Sequence, residues 1–292
     1  MFICGGRLAN LGEPVASLRD AFMRVIDKSA LAKGTTYLAE DPTIFSPIGE
    51  YTELLKFEAD IAQLTELLVL FCESAGSMVE LGMFVMDDEV SPKLMVVIDD
   101  KNYKQNSFIK LGPIFSLTNR HGNDSVCVLN LQHLNIPNIE SLGALKSDNL
   151  LQVLDDPLKK RLKEKREPAT FNKNRHGHVT KLIMGLVQHY ASLTFDEIET
   201  LLYCLDVPTV SKEVRRHIQC AERFGWLHVE RVGTDDYCAP KPAALLQAID
   251  FDLLPGSPIK DKMRWRSAIR DYWKTAEPMR FNVIANAMRS GK

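Results

Sequence analysis

The 292-residue sequence predicts an α/β fold, a doubly wound parallel sheet, followed by an α-rich second domain. Three observations predict it. Apolar runs of strand length at 2–4, 37–39, 67–72, 94–98 and 126–129 alternate with helical patterns, the order of βαβ units. The runs at 67–72 and 94–98 are apolar throughout, as in strands covered on both faces. A charged, proline-containing stretch at 156–175 then separates this half from one in which helical periodicity dominates.

The first strand, Phe2-Ile3-Cys4, runs straight into Gly5-Gly6-Arg7. The spacing Gly5, Gly6, Gly12 is not the dinucleotide fingerprint. The glycine pair still lets backbone N–H groups approach a phosphate or ribose, or it forms a tight turn. Residues 15–26 are amphipathic, with Leu18, Phe22, Val25 and Ile26 on one face. The strand Tyr37-Leu38-Ala39 ends at Glu40-Asp41-Pro42, where carboxylates either hold ribose hydroxyls or begin a loop. Residues 51–64 are helical and lead into the central strand at 67–72.

That strand gives way to Glu73-Ser74-Ala75-Gly76-Ser77-Met78-Val79-Glu80-Leu81-Gly82. Gly76 suits a turn and Ser77 an N-cap, which puts Glu80 in the first turn of the next helix. Open α/β sheets bind ligands at this carboxyl end of their strands. Glu80 then has two readings. Ser77-x-x-Glu80 is a capping box. Alternatively, a carboxylate held ionised at a helix N-terminus is a nucleophile toward an anomeric carbon, as in retaining glycoside hydrolysis. After the strand at 94–98, residues 101–125 are long for a plain connection and suit a lid.

The segment 75–82 resembles the G-[ST]-x-x-E-[LI]-G motif of the nucleoside 2-deoxyribosyltransferase family, whose glutamate nucleophile matches Glu80. Six positions earlier that family carries a substrate-binding aspartate; this chain has Ser74 there and Glu73 one position off. Ile3-Cys4-Gly5-Gly6, residues 73–82 and the run Ser107-Phe108-Ile109-Lys110-Leu111-Gly112-Pro113 together resemble the effectors of one class of bacterial retron. The resemblance implies a Rossmann/flavodoxin-like deoxyribosyltransferase domain followed by a winged helix. It implies an antiviral toxin that cleaves the N-glycosidic bond of a nucleotide, NAD among the candidates, as substrate and not cofactor. It implies as partners a reverse transcriptase with its RNA and multicopy single-stranded DNA, in a higher-order complex. On that reading Glu80 is catalytic. Gly5, Gly6, Arg7, Glu40, Asp41, Glu73, Ser74, Gly76 and Ser77 bind substrate.

In the second half, helices over 179–190, from 193 onward and over 212–224 precede a strand at 226–232, a turn at Gly233-Thr234-Asp235-Asp236 and a return strand. Helix, helix, basic helix, hairpin is the order of a winged helix-turn-helix. The third helix sets Val214, Ile218 and Ala221 inward and Lys212, Arg215, Arg216, Gln219 and Arg223 outward, residue types that contact phosphates and purine edges. The wing tip, Asp235 and Asp236, is acidic, so docking of a protein stands as the other use of the module. A tail at 246–292 interleaves Arg264, Arg266, Arg270 and Lys274 with Trp265, Tyr272 and Trp273, which fits single-stranded nucleic acid or packing onto the winged helix. The domains expected are therefore 1–155, a linker at 156–175, 176–245 and the tail.

Hydrophobic content of 45% and charged content of 25% are those of a globular protein. No apolar run reaches the roughly 20 residues that span a bilayer, and no secretion signal is seen. Six scattered cysteines suit a reducing cytoplasm. His176 and His178 lack zinc-ligand spacing, so no metal is expected and they read as linker. The net charge of −2 hides an asymmetry. Residues 1–156 hold 12 Lys+Arg against 22 Asp+Glu, and residues 157–292 hold 24 against 16. An acidic half joined to a basic half suggests different partners for each. The rival to a glycosidase is a DNA-binding regulator whose N-terminal domain only senses a nucleotide.

Overall fold

A computed structural model describes residues 1–10, 12–38, 53–164, 169–207, 209–242, 248–258 and 261–290. Among these, the chain divides into two compact units, one up to residue 164 and one from 169 to 290.

In the first unit, β1 (Phe2–Cys4) leads to α1 (Leu18–Met23) and β2 (Tyr37–Leu38). Then come α2 (Leu54–Leu64), β3 (Leu68–Phe71), α3 (Ala75–Met86) and β4 (Leu94–Asp99). α4 (Asp100–Lys104), α5 (Phe115–His121), β5 (Val126–Leu129) and α6 (Ser147–Lys163) complete it. The expected strands pair in parallel, in the order β2-β1-β3-β4-β5. The strand Tyr37-Leu38 is described; Ala39 and the helical residues 51–52 lie outside the described residues.

Strand alternation explains the all-apolar runs. Ile3, Val69, Phe71, Met95 and Val97 join one core with Leu18 and Phe22 of α1 and Leu150, Leu154 and Leu158 of α6. The residues of opposite parity, Phe2, Leu68, Leu70, Leu94, Val96 and Ile98, are equally buried. α3 packs against β3 and β4. Both faces of β3 are covered, so every position is apolar.

Three expectations change here. The helix expected over 15–26 is shorter: Ser17 caps it, accepting from the Asp20 N–H at 2.8 Å, and a 3-10 turn follows at Ile26–Lys28. The stretch at 101–125 is no loop. A wide π turn at Lys110–Ile114 runs directly into α5, and the wider turn accommodates Pro113, which has no N–H to give. The linker expected from 156 begins later, because α6 continues to Lys163. Leu150, Leu154 and Leu158 form its buried stripe, and the charges 159–163 hide that stripe from a compositional reading.

The second unit opens with α7 (His176–Tyr190), so His176 and His178, read as linker, are helical. β6 (Leu193–Thr194), α8 (Phe195–Cys204), α9 (Ser211–Arg223), β7 (Leu227–Val232) and β8 (Asp235–Pro240) follow, with an antiparallel sheet in the order β6-β8-β7. The tail forms α10 (Lys262–Ala276) and α11 (Pro278–Arg289), which pack on α7 and β8. Val283, Ile284 and Ala287 join Ala191 and Ala239 in a small core. Among the described residues, no helix is long and apolar enough to cross a membrane.

Candidate active site

The strand order reverses between β1 and β3, which sets the segments leaving those two strands side by side at the carboxyl edge of the sheet. One is Gly5-Gly6-Arg7; the other is Glu73 to Glu80. The structure joins them tightly. Gly5 has φ +147°, and a Cβ there would stand 2.7 Å from Phe71 Cβ. A Cβ on Gly6 would stand 2.7 Å from Ser17 Cβ and 2.9 Å from Glu73 Cδ. Only glycine fits at either position, because backbone packs directly on the exit of β3.

Glu73 is the fastener. Oε1 accepts from the N–H groups of Gly6 and Arg19, each at 3.0 Å, and Oε2 accepts from Leu18 N–H at 2.6 Å. Beneath it, the fully buried Arg19 donates through Nη1 to the Gly6 carbonyl at 3.3 Å. Burial pushes the Glu73 carboxyl above its usual range, opposed by the three backbone donors and by the Arg19 charge. Glu73, expected at the ribose, thus has its carboxylate engaged by the turn and the first residues of α1. Arg19, missed in the sequence because it sits beside the apolar stripe of α1, belongs to the same network. Arg7 is exposed, and its carbonyl accepts from Ser17 Oγ at 2.9 Å. Glu40 and Asp41 lie outside the described residues.

The start of α3 differs from the expectation and changes the reading of Glu80. The N-cap is Ser74, not Ser77, and Ser77 at N3 completes the capping box. Ser77 N–H donates to Ser74 Oγ at 3.2 Å, and Ser77 Oγ takes the Ser74 N–H at 3.0 Å and the Glu73 N–H at 3.1 Å. Ser77 is buried and Ser74 exposed. Gly76 lies at N2 inside the helix, where an added Cβ would meet only Ser74 Oγ at 3.9 Å, so the turn does not require glycine there. Glu80 falls in the second turn, beyond the reach of the cap.

Glu80 is half-buried and near Cys72, the residue after β3. Burial first, then the charges of Glu80 and Glu73, push the Cys72 thiol far up, so it stays protonated. Alongside α3 runs the helix ending in α5. Arg120 donates to the Val85 carbonyl and pairs with Asp88 at 3.4 Å. Counting back along two helices of equal rise sets Phe115 within about a turn of the level of Glu80, and Phe108 and Leu111 near the start of α3. These three and Val79 are exposed large apolar side chains.

In the second unit, Lys212, Arg215 and Arg223 of α9 are exposed as expected. Arg216 is not: it is 6% exposed and its Nη1 meets both oxygens of Glu213, at 2.8 and 2.7 Å. α9 buries a wide face that includes His217 and Cys220 as well as Val214, Ile218 and Ala221, so the neighbouring Arg216 and, in part, Gln219 are drawn in. Arg215 lies 5.0 Å over the Phe195 ring and 3.9 Å from Asp236, which Arg231 also approaches at 3.9 Å. The acidic wing tip is thereby partly offset. Trp265 and Trp273 of the tail pack on α7, with the Trp273 indole N–H donating to the Tyr190 carbonyl at 2.8 Å.

A protein-family profile described as "STM3845 retron effector protein" matches residues 15–229. The Escherichia coli protein "Retron Ec73 putative ribosyltransferase/DNA-binding protein" is 32% identical over 123 residues, 40% of this chain and 37% of that protein. The protein of the same description from retron Ec86 of Escherichia coli is 30% identical over 116 residues, 39% of this chain and 36% of that one. The similarity thus spans little more than a third of either relative.

Proposed function

This chain belongs to the STM3845 retron effector protein family, and from that premise we propose that its first unit is an N-glycosidase acting in antiviral defence. The relatives' names, as ribosyltransferases and DNA-binding proteins, support glycosyl transfer in one unit and nucleic-acid contact in the other. The observation that carries the reading is the cap of α3. Ser74 and Ser77 supply it, so capping does not account for a half-buried carboxylate in the next turn, at the reversal point of the sheet.

In the proposed reaction, a Glu80 carboxylate oxygen attacks C1′ of a nucleotide. The C1′–N bond breaks, its electron pair leaves with the base, and a glycosyl ester forms. Water then attacks C1′, gives a proton to solvent and returns Glu80 as carboxylate. A cationic base such as nicotinamide needs no general acid to leave, which makes NAD a fitting substrate. The protonated Cys72 thiol cannot compete as nucleophile. The backbone of Gly5 and Gly6, the exposed Arg7, Ser74 and the open side of Gly76 line the proposed substrate cleft. Glu73 and the buried Ser77 support it from behind.

The second unit's order of helix, strand, two helices and hairpin, with sheet β6-β8-β7, supports a winged helix-turn-helix. Lys212, Arg215 and Arg223 are its proposed nucleic-acid contacts. The proposed assembly in the cytoplasm holds a reverse transcriptase and its multicopy single-stranded DNA.

The test is to incubate the purified chain, alone and assembled with those partners, with NAD and with ordinary nucleosides, and to follow free base by chromatography. Base released without an acceptor supports the hydrolase. Base exchange that requires an acceptor indicates a transferase. No base released in either state, by a folded chain that binds DNA, replaces the glycosidase with a nucleotide-sensing regulator.

A further inference from the structure

The second unit carries a groove for which the proposed reaction has no use. It lies between α8 and α10 and encloses about 540 Å³. Leu193, Leu201, Ile269, Tyr272 and Trp273 form its apolar wall. Tyr272 keeps 60% of its surface in water although it lines this wall. Trp273 is fixed by its bond to the Tyr190 carbonyl. An apolar side chain entering the groove therefore meets a largely preformed aromatic surface, where anchor residues gain most.

Charge decides what fits. α8 carries Asp196, Glu197 and Glu199 and no Lys or Arg, and Asp196, Glu197 and Thr200 stand along the groove's edge. The lining cation, Arg280, is 3% exposed; Glu197 holds it at 2.7 Å, Glu277 at 2.9 Å, and its guanidinium lies 4.1 Å over the Trp273 ring. Its charge is already answered by two carboxylates. A phosphate backbone would meet an acidic edge here, whereas the exposed cations of α9 lie on another helix.

We propose that this groove docks a protein segment: an amphipathic helix whose apolar face is bordered by Lys or Arg. The aromatic wall anchors the apolar face, and the α8 carboxylates select the sign of the border.

The full chain is titrated with a Leu/Lys helical peptide of about 16 residues, its leucines at i, i+3, i+4 and i+7. Controls are the same peptide with Glu for Lys, and a single-stranded oligonucleotide. Tryptophan fluorescence and calorimetry read binding. Thr200→Arg adds a cation at the edge and Tyr272→Ala removes the exposed ring; both positions are solvent-facing. The Leu/Lys peptide is expected to perturb tryptophan emission and to bind each variant roughly tenfold more weakly than the native chain. The Leu/Glu peptide is expected to bind the native chain more weakly by a similar factor. Unchanged Leu/Lys binding in both variants overturns the proposal. So does weaker oligonucleotide binding in Tyr272→Ala, which would assign the groove to nucleic acid. So does loss of a native self-association in either variant by sedimentation, which would assign it to a second copy.

Discussion

The backbone N–H of Gly6 and the carboxylate of Glu73 meet at 3.0 Å across the reversal point of the sheet, and no Cβ fits between them. This contact ties the segment after β1 to the segment after β3. Gly6→Ala is expected to destabilise the first unit by about 1–3 kcal/mol, the range for a forced close contact. Glu73→Ala strips an acceptor from three backbone donors at once and is expected to cost about 2–4 kcal/mol. Denaturant unfolding measures both. Native stability in Gly6→Ala would mean that the segment shifts freely, against the packing described.

Glu80→Gln keeps the side chain's shape and removes the attacking charge. Base release is expected to fall by several orders of magnitude, about 4 kcal/mol or more in the barrier. Stability is expected to change by less than the roughly 1 kcal/mol that a lost cap costs, since Ser74 and Ser77 form the cap. Turnover assays with thermal melts on one preparation check both. Normal turnover by the folded variant sinks the nucleophile.

The burial of Arg216 dictates which variants test α9. Lys212, Arg215 and Arg223 replaced together by alanine are expected to weaken nucleic-acid binding with little loss of stability. Each lost phosphate contact should lower the salt slope by about 0.9 on duplex and about 0.7 on single strands. Arg216→Ala is expected to act on stability instead, leaving Glu213 without its bidentate partner. An unchanged slope in the triple variant removes the nucleic-acid role from this helix.

His189 gives the second unit a pH dependence. It is buried, with Arg266 Nε donating to its Nδ1 at 3.2 Å, and burial, then Arg266 and Lys262, lower its pKa to about 4. The folded state therefore holds the ring neutral while the unfolded chain protonates it near its ordinary value of about 6.5. The stabilisation is fully present above pH 6.5 and is lost as pH falls from there toward 4. About 1–2 kcal/mol is expected to disappear by roughly pH 5. His189→Gln should flatten that slope in denaturant titrations between those limits. An equal slope in both proteins would assign the effect to another group.

Much of the fold was legible because its signals are local. The apolar runs at 67–72 and 94–98 mark strands covered on both faces wherever they occur, and the Val214, Ile218, Ala221 stripe marks the inner face of α9. The nucleophile candidate was legible from a short motif. The start of α3 was not: Ser74 and Ser77 both suit an N-cap, and spacing alone does not choose between them.

The sequence by itself determined which segments are strands and helices, their parallel αβ alternation, and where glycine and carboxylate gather near Glu80. Tertiary structure alone decided what those groups do. Glu73 looks like a ligand for ribose until α1 brings three N–H donors to it from 54 to 67 positions away. Arg216 looks like a surface cation until the wide buried face of α9 draws it in. Residues 159–163 look like a linker until the leucines before them fix α6 in the core. In each case the deciding partner is distant in the chain, and only packing sets the distance that turns a residue type into an interaction.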